Sequence, residues 1–164
     1  MKLPLGLAVG LCAILGAGLQ LAAQEQAPSM PAGRVFKVDD TGTVVLDPVL
    51  EMQWKPPGQA GASSIVSAST QVSVQLNLAA FVGRSGRIYM TLPRTSGPTV
   101  RAVWRTGGTL LPGSLVSGER ALVYSGPVTG PLMRDLIGID LQTDGARLAQ
   151  PEALAFGFEI ELDQ

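Results

Sequence analysis

Apolar and polar side chains alternate one by one along residues 71–92. Val72, Val74, Leu76 and Leu78 are interleaved with Gln71, Ser73, Gln75 and Asn77, and further on Ile88, Met90 and Leu92 with Arg87, Tyr89 and Thr91. A period of two places one set of side chains on each face of a pleated strand, so each run predicts a strand with one buried and one wet face. Between the runs stands Arg84-Ser85-Gly86, which has the composition of a short turn with Gly86 free to take positive φ. The stretch therefore predicts a β-hairpin.

Similar runs recur along the chain. Short strands are expected at 34–38, 43–46, 49–54, 65–68, 100–105, 114–116, 121–124 and 136–142, separated by Gly-, Pro- and Asp-rich breaks. The last run, 154–162, sets Leu154, Phe156, Phe158, Ile160 and Leu162 against Ala155, Gly157, Glu159 and Glu161. Ending on a buried strand implies that the C-terminus takes part in folding. Outside the first 23 residues no stretch sustains a helical stripe. The expected fold is all-β: an antiparallel β-sandwich, immunoglobulin-like in size, of about seven to nine short strands.

Residues 1–23 read differently. Lys2 precedes an apolar run broken only by Gln20, and Leu21-Ala22-Ala23 offers small residues for cleavage. This is the pattern of a secretory signal peptide, which places the protein in the periplasm, at the cell surface or outside the cell. Contact with a membrane is expected only if that segment is retained. The single cysteine, Cys12, lies inside it, so the exported chain would hold no disulfide. Residues 24–33 read as a disordered leader, 34–54 as an N-terminal strand segment, 55–64 (KPPGQAGASS) as a linker, and 65–164 as the sandwich.

Composition narrows the chemistry. There is no histidine, and with Cys12 gone there is no thiol, so Ser-His-Asp and Cys-His nucleophiles and imidazole or thiolate metal sites are excluded. Carboxylate chemistry remains. Asp40-Thr41-Gly42 matches the loop in which aspartic proteases carry their acid, and Leu136-Ile137-Gly138 matches the apolar pair and glycine that accompany it. Yet Asp39 stands where an apolar residue is wanted, and the motif occurs once; Asp-Asp-Thr-Gly is ordinary turn chemistry. Asp140 and Asp144 lack the further acids of a calcium loop. Glu159 and Glu161 share one face of one strand, as solvating carboxylates do. Thr106-Gly107-Gly108-Thr109 could cradle an anion with backbone amides, without the helix that completes a phosphate loop. Neither a catalytic set nor a cofactor is expected.

Charge is uneven: between Lys55 and Arg134 the basic residues stand against Glu119 alone, carboxylates dominate from Asp135 onward, and the net charge is −1. Two arrangements follow from that: cross-strand ion pairs, or a basic and an acidic edge that dock copies together. A nucleic-acid surface is not expected at this charge. The expectation for function is a non-enzymatic structural subunit of a bacterial surface, of the pilus or fimbrial kind, which contacts a protein partner or itself through its N-terminal strand segment. Val44, Leu46, Leu50, Met52 and Trp54 are the candidate side chains to insert in such a strand exchange. The alternative is a monomeric module that binds a protein or glycan through loops 93–98 and 125–131, where Trp54, Trp104, Tyr89 and Tyr124 are the aromatics available.

Overall fold

The computed structural model describes residues 33–54, 64–148 and 155–163. The expected signal peptide, the linker save Ser64 and the leader save Gly33 lie outside them. Among the described residues ten strands form two antiparallel sheets. They are β1 (Val35–Lys37), β2 (Val44–Val45), β3 (Gln53–Trp54), β4 (Ile65–Asn77), β5 (Ser85–Thr91), β6 (Arg101–Thr106), β7 (Gly113–Val116), β8 (Arg120–Pro127), β9 (Leu132–Asp144) and β10 (Gly157–Leu162). The smaller sheet has the order β1-β10-β5-β8. The larger has the order β2-β4-β9-β6-β7, with β3 also on the free side of β4. No helix among the described residues is long and apolar enough to cross a membrane.

The predicted alternation sets the layers. Val72, Val74 and Leu76 point inward from β4, Ile88 and Met90 from β5, and Phe158, Ile160 and Leu162 from β10; all are buried. Ile137, Ile139 and Leu141 of β9 and Ala102 and Trp104 of β6 complete the interior. Burial of this apolar surface is the main favourable term in folding, at roughly 25 cal/mol per Å². The scaffold is the 13-residue pairing of β4 with β9, in register from Ile65 opposite Asp144 to Asn77 opposite Leu132. The expected strand at 65–68 and the alternating run that starts at Gln71 are thus one strand, ending at Asn77, and β9 is longer than its apolar run.

The predicted hairpin at 71–92 does not form. β4 belongs to the larger sheet and β5 to the smaller. Between them the chain makes a 3₁₀ turn, Ala79–Phe81, and crosses the sandwich. The positive φ falls on Gly83 (82°), not on Gly86. Leu78 and Phe81 are buried in the crossing. This explains why the alternation continues into Leu78 with no turn behind it: the run fills the end of the core before the chain changes layers. Most successive strands switch sheets in the same way, and β6 with β7 is a tight neighbour pairing.

β10 runs between β1 and β5 in the middle of the smaller sheet. Gly33, expected in the leader, donates its N–H to the Leu162 carbonyl at 2.9 Å and so extends the β1–β10 pairing.

Candidate functional site

The N-terminal strand segment folds back on its own chain. β1 pairs with β10, while Val44 and Val45 face Ser73 and Val72, and Gln53 and Trp54 face Ser67 and Val66. Of the buried apolar residues of the protein, only Val38 comes from this segment. The five candidate side chains are not in the core. Val44, Leu46 and Trp54 are 55%, 51% and 59% exposed, and Leu50 and Met52 are half-buried. Val49, beside them, is 83% exposed.

Val44 and Leu46 lie at the edge on the outer face of the larger sheet, whereas Trp54 is in register with buried Val66 and therefore on the opposite side. The register orders the outer face into rows. Val44, Ser73 and Leu136 share one row, with Leu136 also exposed. The Leu46 amide donates to the Gln71 carbonyl at 2.9 Å, so Leu46, Gln71, Gly138 and Arg105 form the next row. Ser69, Asp140 and Val103 form the third. Here Ser69 Oγ donates to Asp140 Oδ1 at 2.6 Å, and Arg105 Nη2 lies 3.5 Å from Asp140 Oδ2. A cleft of about 380 Å³ opens over the second and third rows, with Asp47 on its rim. A second cleft, about 270 Å³, is lined by Pro98, Thr99, Arg101, Gln142 and Arg147 among others.

The motifs noted in the sequence take structural places. Asp40-Thr41-Gly42 is the turn that carries the chain from β1 to β2: the Asp40 carbonyl accepts the Thr43 amide at 2.8 Å. Asp39 accepts from Thr41 N at 3.1 Å and Thr41 Oγ1 at 2.8 Å, and faces Asn77 in an isolated bridge. These hydrogen bonds, from the Thr41 hydroxyl first, hold the Asp39 carboxyl below its usual value, against a small opposing desolvation. Leu136-Ile137-Gly138 lies inside β9. In the Thr106-to-Thr109 loop the Gly108 amide donates to Thr106 Oγ1 at 3.0 Å, and the anion beside the loop is the chain's own Asp135, bound by a side chain and by the amide after the motif. Its Oδ2 accepts from Leu110 N at 2.8 Å and Thr106 Oγ1 at 2.9 Å.

The uneven charge resolves into cross-strand contacts. On the outer face of the smaller sheet Arg120 lies 3.4 Å from Glu161 and 3.9 Å from Glu159, with its guanidinium 4.3 Å over the Tyr89 ring. Arg87 lies 3.4 Å from Glu161 and 3.7 Å from Asp163. Glu159 and Glu161 are thus arginine partners. Asp144 caps the 3₁₀ turn after β9 through the Ala146 amide and lies 3.7 Å from Arg147. Among the described residues no group of three or more His, Cys, Asp or Glu side chains is placed to hold a metal ion.

The four aromatics do not make one platform. Trp104 is buried and donates to the Leu111 carbonyl at 2.8 Å. Tyr124 donates to Pro127 O at 2.7 Å, and Tyr89 lies under Arg120 on the other sheet from Trp54. The cleft over Gly138 was missed in the sequence because its members come from three strands and a loop; its one visible sign was a glycine in an apolar strand.

No protein-family model matches the chain, and neither a curated protein nor a solved structure matches it significantly.

Proposed function

We propose that this chain is an exported, non-catalytic structural domain that assembles with copies of itself at a bacterial surface, through the β2–β3 edge of its larger sheet. The observation that supports the reading is the character of that edge. Thirteen residues of β4 are flanked there by two strands of two residues each. Val44, Leu46 and Val49 are exposed, with exposed Leu136 in the row of Val44, and Trp54 is exposed at the other end of the edge. A short, irregular edge leaves strand hydrogen-bonding groups for a partner, and exposed apolar side chains along it supply association energy.

The segment is also suited to exchange. It gives Val38 to the core and sets half-buried Phe36 against Phe81, ring centroids 5.8 Å apart, and swapping 33–54 between two copies trades identical ladders and contacts. Fimbria-like assembly by a donated segment is one form of this; edge-to-edge pairing is the other.

Sedimentation velocity on the purified protein tests the reading. The expected result is association that strengthens between about 1 μM and about 1 mM and is lost in the Val44→Ser, Leu46→Ser, Val49→Ser triple variant with thermal unfolding unchanged. A monomer over the whole range overturns self-assembly and leaves a monomeric binding module in its place.

A further inference from the structure

Gly138 stands in β9, flanked by β4 and β6, opposite Gln71 on one side and Arg105 on the other. Nothing in the fold calls for a glycine. Its φ is outside the left-handed region, and a Cβ built there would meet no atom within 4 Å. Glycine inside a strand costs stability, having no side chain to pack and more freedom to lose. Where the fold offers no return, such a glycine commonly marks the close approach of a ligand or another backbone. Here its missing side chain is the floor of the cleft, whose volume of about 380 Å³ falls in the range of roughly 300–1,000 Å³ typical of small-molecule sites.

The walls define the chemistry of the occupant. Asp47, Ser69, Gln71, Arg105 and Asp140 surround Gly138. The Asp140 carboxylate is already met by Ser69 Oγ and by Arg105. Arg105, 83% exposed, keeps most of its five N–H donors for another acceptor. Asp47 has no hydrogen bond or ion pair among the described residues, and its carboxylate can only accept. Donors and acceptors therefore both line the cleft, with two carboxylates against one guanidinium. Two carboxylates oppose a phosphate, a sulfate or a nucleic acid. A hydroxylated ring fits the pattern, because each hydroxyl donates to a carboxylate while accepting from a guanidinium or an amide.

We propose that the cleft over Gly138 is a binding site for a neutral carbohydrate residue, seated on the Gly138 backbone between Gln71 and Arg105 and held from the rim by Asp47. The site adjoins the β2–β3 edge, since Leu46 shares the row of Gly138 and Asp47 follows β2, but its floor, Gly138 with Gln71 and Arg105, belongs to β4, β6 and β9 and does not rest on the self-assembly reading.

The test is a titration of the ¹⁵N-labelled full-length protein with lactose, maltotriose, cellotriose, mannotriose and chitotriose, beside a heparin-derived disaccharide. Sugars are taken to about 10 mM, tenfold above the ~1 mM Kd of a weak site. The expected result is that at least one neutral sugar shifts the amides of Gln71, Gly138 and Arg105, and the sulfated disaccharide does not. Gly138→Val fills the floor, in space that is open, and weakens binding at least tenfold. Arg105→Ala, at an exposed position, weakens it severalfold without touching the floor. The proposal is overturned if no neutral sugar moves those amides, if the sulfated sugar alone does, or if the shifts survive both substitutions. Sedimentation of the same samples reports self-assembly separately.

Discussion

The Asp135 carboxylate accepts the backbone amide of Leu110 at 2.8 Å and closes the loop between β6 and β7. Thr106 Oγ1 donates to the same oxygen at 2.9 Å and accepts the Gly108 amide at 3.0 Å. A Cβ on Gly108 would collide with the Asp135 carboxylate. The glycine is needed for close approach, and the carboxylate supplies the charge that the loop amides face.

Asp135→Ala removes three hydrogen bonds to a charged acceptor, from Leu110 N, Thr106 Oγ1 and the adjacent Leu136 N, and leaves the Leu110 amide without its partner. Such bonds are worth about 1.5–3 kcal/mol each when intact, and the loop can relax toward water. The expected loss of stability is therefore about 2 kcal/mol, read as a lower urea midpoint with unchanged slope. Gly108→Ala should destabilise in the same direction. A neutral result for both would mean that the loop is held by Leu110 packing alone.

Asp39 links acid stability to the turn between β1 and β2. Its folded-state carboxyl is held below the ordinary 3.8 by the Thr41 hydroxyl, then the Thr41 amide, with a smaller contribution from Asn77. A depressed folded value means that its stabilising contribution is complete above the unfolded value and fades as pH falls through the folded one. Carbon-detected NMR titration of the carboxyl should show Asp39 titrating below 3.8, and Thr41→Val should move it upward. An unchanged titration in that variant would assign the shift to another source.

The two tryptophans report on opposite environments. Trp104 is 1% exposed and donates to the Leu111 carbonyl, while Trp54 is 59% exposed at the sheet edge. In Trp54→Phe the remaining fluorescence should be blue-shifted and resistant to acrylamide, and stability should change by less than about 0.5 kcal/mol. Trp104→Ala leaves a large hole in the core and should cost about 3–5 kcal/mol. If the Trp54→Phe protein is readily quenched, the placement of Trp104 is wrong.

Residue by residue, the period of two determined a great deal. It marked Val72, Val74, Leu76, Ile88, Met90, Phe158, Ile160 and Leu162 as inward-facing, and the fold class followed, because side-chain direction in a strand is a local property of the backbone. What alternation cannot encode is the neighbour. Whether β4 turns back on β5 or crosses to the other sheet depends on Leu78 and Phe81 finding space at the end of the core. That space exists only once β9, more than fifty residues away in the chain, has been laid beside β4. The same holds for the ion pairs of Arg120 with Glu159 and Glu161 and for the cleft over Gly138. Each brings together side chains from strands distant in sequence, and only closure of the two sheets set them within reach.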